Sequence, residues 1–227
     1  MLRLAAGRCC LGKALLRRAQ SNASHPCLTV RSAEEMKILG SLFAKEVRCG
    51  DTIYLNGDLG VGKSCFAQGL IRHYFGDPQM DAPSPTFLID QCYEAADGGN
   101  KAVLHHMDFY RFEALAPAEL ADSLELLEVA HSFENDVCLV EWSQFLHNFH
   151  SAPETVLRLD LEYCADDHDD LQHPIDLEAL PRHISIQTPI PDHWGGQNLR
   201  DPSSRLGRVL DDWANSGHEI NLPQSRM

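Results

Sequence analysis

Gly57-Asp58-Leu59-Gly60-Val61-Gly62-Lys63-Ser64 forms a complete Walker A stretch, G-x-x-x-x-G-K-[ST]. It lies between an apolar run at 52–56 and a helix-like segment that begins at Lys63. A polyphosphate needs N–H donors packed close to it, and glycine permits this because it lacks a Cβ and tolerates positive φ. The loop then offers its amides to phosphate oxygens, and the first turn of the following helix adds partial positive charge. In this pattern the Lys63 ammonium reaches β and γ phosphate oxygens, while the Ser64 hydroxyl ligates Mg²⁺. Residues 57–64 are therefore the expected nucleotide-binding segment.

On either side of the loop, strand-like and helix-like segments alternate. Ser32-Ala33-Glu34-Glu35 reads as a capping box that opens a helix with Met36, Leu39, Leu42 and Phe43 on its apolar face. Gly50 and Asp51 turn the chain into the strand before the loop, and the helix after it spans 63–73, stopping near Gly76 and Pro78. A Pro-rich loop at 81–85 precedes a strand at 87–93, a turn at 97–100 and a strand at 102–108, which predicts a hairpin. A helix is expected at 116–129 with Leu120, Leu124, Leu127 and Val129 inward, followed by strands at 137–141 and 155–163. Beyond these come an acidic, His-rich loop at 166–174, a short strand at 183–187 and an irregular linker at 189–202. A terminal helix at 203–215 carries Leu206, Val209, Leu210 and Trp213 on one face. This order predicts an α/β, three-layer P-loop NTPase-like fold with a mostly parallel central sheet and a site at the strands' carboxyl ends.

A chain of 227 residues suffices for one α/β domain, and 44% hydrophobic with 23% charged residues fits a soluble globule. No apolar stretch reaches the roughly 18–20 residues that span a bilayer, so no membrane partner is expected. The net charge is −14, yet the first 30 residues carry Arg3, Arg8, Lys13, Arg17 and Arg18 and no acid. Interleaved with leucine and alanine, those cations read as a mitochondrial transit peptide over 1–30, with a plastid or cytoplasmic location as alternatives. The remaining body is strongly acidic, which argues against autonomous binding to a nucleic-acid backbone. Eight dispersed cysteines without a CxxC pair read as thiols in a reducing compartment. Cys164, His168 and His173 have loosely metal-like spacing but lie in an acidic loop-like stretch, where solvated side chains are the simpler reading.

A phosphate-binding loop specifies nucleotide rather than reaction. Asp108 closes the apolar run of Val103, Leu104 and Met107, and Glu141 closes that of Val137, Leu139 and Val140. Two acids at strand ends beside such a loop are the groups needed to position Mg²⁺ and an attacking water. Ser84-Pro85-Thr86-Phe87 falls where a switch loop would sense the γ phosphate or the metal. The lack of a guanine-reading NKxD pattern favours ATP over GTP.

These motifs together, GDLGVGKS, SPTF, His106-Met107-Asp108-Phe109-Tyr110-Arg111 (HxDxYR) and Val140-Glu141-Trp142, resemble the TsaE (YjeE) family of tRNA threonylcarbamoyladenosine biosynthesis proteins. The resemblance covers about residues 29–163, a P-loop ATPase domain over 31–165, with 166–227 as an acidic loop and C-terminal extension. It implies a Mg²⁺-dependent ATPase that acts with TsaB-like and TsaD-like partners in modifying adenosine 37 of tRNAs reading ANN codons, with tRNA contacted only through the complex. By position it assigns phosphate to Lys63, Mg²⁺ to Ser64 and Glu141, metal or water to Asp108, the switch role to Thr86, and a packing or docking role to Trp142. The chain departs from the family's EWP or EWxE/D continuation, since Trp142 leads into Ser143-Gln144-Phe145. Two other readings remain open: a small-molecule kinase, and a non-catalytic nucleotide-dependent binding module. Arg72 and Arg111 are the candidates for an activating arginine.

Overall fold

The computed structural model describes residues 25–86, 88–95, 103–114, 122, 125, 128–146, 152–153, 155–164, 180–187, 189–196, 198 and 201–223. Its strands are β1 (Cys27–Val30), β2 (Thr52–Gly57), β3 (Asp90–Tyr93), β4 (Leu104–Asp108), β5 (Val137–Glu141), β6 (Leu157–Tyr163), β7 (Arg182–Ile186) and β8 (Ile220–Asn221). The helices are α1 (Ala33–Ala44), α2 (Lys63–Phe75), α3 (Val129–Asn135) and α4 (Arg205–Asn215), with short 3-10 turns at Tyr110–Ala114, Ser143–Leu146 and Asp192–Trp194.

The eight strands among the described residues form one sheet in the order β3-β4-β5-β2-β6-β7-β1-β8. The four central strands, β4, β5, β2 and β6, are parallel; β3, β7, β1 and β8 join antiparallel to their neighbours. The central strands are covered on both faces, as parallel strands must be. Ile53, Leu55, Leu139, Leu159 and Leu161 enter the core shared with α1, α2 and α4. The alternate residues Tyr54, Cys138 and Val140 face a second core with Met107, Phe109, Phe112, Val129 and Phe133. This gives the three layers expected.

Ser32 caps α1 by accepting the Glu35 amide at 3.1 Å, while the Glu35 carboxylate reaches back to the Arg31 amide at 2.7 Å. The α1 backbone runs directly over Gly69 of α2, where a Cβ would lie 2.0 Å from the Lys37 carbonyl oxygen, so only glycine allows this approach. Gly76, at φ 72°, terminates α2.

The segment read from sequence as loop and extension supplies β7, which lies between β6 and β1, and α4, which packs on α1. The expected irregular linker contains Trp194, fully buried at 5.9 Å from the Phe43 ring. Arg205, at the start of α4, lies 4.1 Å from the Trp194 ring centroid. Its guanidinium pairs with Asp51 and donates from Nε to the Glu46 carbonyl at 2.7 Å. The C-terminal segment is thus pinned to the amino end of β2.

Other expectations shift at their edges. The strand placed at 87–93 starts at Asp90, because the amides of Leu88 and Ile89 both donate to the Pro85 carbonyl at 2.8 Å and make a turn. Leu120, Leu124 and Leu127 of the expected helix at 116–129 lie outside the described residues, whereas Val129 begins α3 after Glu128 in the left-handed region. The N-terminal cations, the 97–100 turn, the acidic loop at 166–174, and His168 and His173 also lie outside them. Among the described residues no helix is long and apolar enough to cross a membrane.

Candidate nucleotide site

β2 sits where the strand order reverses, with β5 on one side and β6 on the other, and ligands of open α/β sheets bind at such a point beyond the carboxyl ends. Gly57 ends β2 at φ 138°, and a Cβ there would meet the Leu161 carbonyl oxygen of β6 at 2.3 Å. The chain therefore turns sharply into the loop while staying tight against the neighbouring strand. At the far side of the loop, α2 has no side-chain cap and no acid in its first turn. Its leading amides remain available to an anion, and no carboxylate opposes one.

The strand-end acids, the switch-loop threonine and Trp142 singled out from sequence converge on this point. Gly60, Gly62, Lys63, Ser64, Thr86, Asp108 and Glu141 line one cleft, together with Ser84, Tyr110 and Trp142. Leu59, at the loop tip, is 69% exposed, whereas Val61 is buried and anchors the loop. Gly57 and Asp58 turn their carbonyls to the Lys63 ammonium at 2.8 and 2.9 Å. Burial pulls the Lys63 pKa below its ordinary value, and the Glu141, Asp108 and Asp58 carboxylates oppose that pull.

Asp108 and Glu141 are register partners on β4 and β5, so their carboxylates stand side by side. Asp108 is held by three donors: Thr86 Oγ1 at 2.6 Å, Ser84 Oγ at 3.2 Å and the Tyr110 amide at 2.9 Å. Glu141 accepts from His106 Nε2 at 2.9 Å. Trp142 turns through φ 61°, which brings its ring to 4.3 Å from the Lys63 ammonium and 4.9 Å from the Tyr110 ring.

The side chains fit a nucleoside polyphosphate with a hard divalent cation. Ser64, Asp108 and Glu141 offer oxygen donors of the type Mg²⁺ prefers, next to uncapped helix amides and a buried ammonium. Arg72 stands elsewhere, its Nε donating to the Met80 carbonyl at 3.0 Å, and neither it nor Arg111 lines the cleft. Sequence reasoning missed the Ser84 and Tyr110 contacts to Asp108 and the His106–Glu141 bond. An H-x-D spacing at a strand end was the available signal for the last, since i and i+2 share a face.

A family profile described as "Threonylcarbamoyl adenosine biosynthesis protein TsaE" matches residues 30–171. A TsaE of Rickettsia conorii is 31% identical over 125 residues, covering 55% of this chain and 65% of that protein. The Rickettsia prowazekii TsaE is 31% identical with 79% of its length covered, and that of Mycobacterium tuberculosis 30% identical with 68% covered. The crystal structure of Bacillus subtilis YdiB superposes with a TM-score of 0.51 over 84% of this chain and 95% of that one, at 21% identity, a likeness of fold. The profile takes in more than half of the chain and contains β2, β4, β5 and β6, the strands whose ends frame the cleft: this chain is a member of the TsaE family.

Proposed function

We propose that this protein is a Mg²⁺-dependent ATPase required for threonylcarbamoyladenosine modification of tRNA, acting with TsaD-like and TsaB-like partners. The observation that carries the reading is the convergence of Lys63, Ser64, Thr86, Asp108 and Glu141 on one cleft at the uncapped start of α2. The relatives' names supply the pathway.

Lys63 binds β and γ phosphate oxygens through a buried ammonium, and the α2 amides share that charge. Ser64 and Glu141 would hold the metal ion, with Asp108 supporting it or its water, and a bound Mg²⁺ would supply charge neutralisation to the phosphates. Thr86 connects the switch-like loop to Asp108, and the loop is strained: Ile89, a β-branched residue, adopts φ 70° while accepting the Asp108 amide at 2.8 Å. A loop held in this way is suited to move with the γ phosphate. No arginine lines the cleft among the described residues, which favours slow hydrolysis alone and acceleration by a partner over a self-sufficient kinase.

The acid-free, arginine-bearing N-terminus supports action in mitochondria; import of a fluorescent fusion tests this against a plastid or cytoplasmic location. The function is tested by depleting the protein and measuring threonylcarbamoyladenosine in digested organellar tRNA by mass spectrometry. Loss of the nucleoside, restored by the wild type and not by Lys63→Ala, is expected. Phosphate release should rise when TsaD-like and TsaB-like proteins are added; unchanged nucleoside levels would refute the pathway, and unchanged release the activation.

A further inference from the structure

The two cleft carboxylates are held unequally. Asp108 has three donors, but Glu141 has a single hydrogen-bond donor among the described residues, His106 Nε2. His106 and Asp108 are two residues apart on β4 and share a sheet face; in the register His106 stands opposite Leu139 and Asp108 opposite Glu141. The imidazole thus approaches Glu141 diagonally from the core side, where it is fully buried. Since an ionised carboxylate only accepts, Nε2 carries the proton in this contact. The other ring nitrogen, Nδ1, has no hydrogen-bond partner among the described residues.

A buried ring nitrogen left unpaired is a cost that an apolar side chain of similar volume would not incur. Packing therefore does not account for a histidine here, and the Nε2 contact does. Glu141 also stands beside Asp108, and two neighbouring carboxylates repel unless each is held.

Resting on the reading of Glu141 as a Mg²⁺ ligand, we propose that His106 is a positioning residue that fixes the direction in which Glu141 presents its carboxylate to the metal ion. It does so by donating Nε2–H to Oε1. The remaining carboxylate capacity faces the cleft that Glu141 lines.

The test measures Mn²⁺ binding by electron paramagnetic resonance in the presence of saturating ADP, and ADP binding without metal by calorimetry. The variants are His106→Leu, His106→Gln and Glu141→Gln. His106→Leu should weaken Mn²⁺ about ten- to a hundredfold, the range for losing a partner that orients a metal ligand, with metal-free ADP affinity unchanged. His106→Gln, whose amide N–H can take the place of Nε2–H, should restore most of the affinity.

Mn²⁺ affinity within about twofold of wild type in His106→Leu, alongside a clear loss in Glu141→Gln, overturns the positioning role and leaves the site reading intact. Wild-type affinity in Glu141→Gln overturns the reading of Glu141 as a ligand, and the proposal with it. If His106→Leu does not fold, ¹⁵N spectra of histidine-labelled wild type decide: a protonated Nε2 with unprotonated Nδ1 supports the proposal, and the reverse tautomer overturns it.

Discussion

Replacing Arg205 by methionine tests whether the C-terminal segment is an appendage or part of the domain. Methionine keeps an apolar stem against Trp194 but removes the guanidinium that pairs with Asp51 and donates to the Glu46 carbonyl. Asp51, only 4% exposed, would keep the Arg48 amide at 2.6 Å and His193 Nε2 at 3.2 Å, the latter from a half-exposed ring. Removing one partner of a buried ion pair costs about 3–5 kcal/mol because the other charge stays buried. At about 2–4 °C per kcal/mol for a domain of this size, Tm should fall by roughly 6–20 °C. Asp51→Asn in the same chain should recover part of the loss, which a double-mutant cycle in urea measures as coupling. Asp51 precedes β2 and the loop follows it; six residues of strand separate the ends by about 20 Å, so ADP affinity of the folded variant should not change. A Tm fall below about 2 °C, or unfolding in two phases with the C-terminal segment melting first, would refute the view that one cooperative core holds both.

Lys63→Ala should weaken ATP about ten- to a hundredfold by calorimetry, since a charge-assisted hydrogen bond contributes about 1.5–3 kcal/mol; MgATP at 100 times the wild-type Kd should raise the wild-type Tm by roughly 5–11 °C and that of this variant by only roughly 1–6 °C at the same concentration. Thr86→Val removes the 2.6 Å bond to Asp108 and should lower phosphate release about tenfold or more with ATP affinity nearly unchanged, whereas an equal loss in both would show that Thr86 acts only in binding. His105 stands between Asp90 at 2.8 Å and Asp136 at 3.5 Å. Burial by itself would lower its pKa, but the Asp90 hydrogen bond and the charges of Asp90 and Asp136 prevail and raise it above 6.5. Stability from this cluster is then full below the unfolded value and is lost as pH rises through the folded one, so urea midpoints should fall as pH rises above about 6.5 and His105→Gln should remove that part of the slope.

The strongest local signals proved reliable because their physics is local. The Ser32 cap, the Gly76 stop, the strand ending at Glu141 and the α4 face of Leu206, Val209, Leu210 and Trp213 depend on neighbours a few residues away. The strand start misjudged at Phe87 shows the limit, since Leu88 and Ile89 satisfy the rules for a strand but their amides are taken by Pro85.

The Walker A loop, the acids that close β4 and β5, the α/β class and, through four motifs in order, the family were legible in the sequence alone. Each rests on residue type at fixed spacing. Only the tertiary structure decided that β7 and α4 belong to the same sheet and core, because the pairing of β7 with β1 and the burial of α4 join residues more than a hundred positions apart, as Cys27 and Ser185 or Arg205 and Asp51 are. It also decided which partner holds each carboxylate. Asp108 and Glu141 are equivalent as strand-end acids in the sequence. The register of β4 against β5 and the turn after Pro85 give one of them three donors and the other His106.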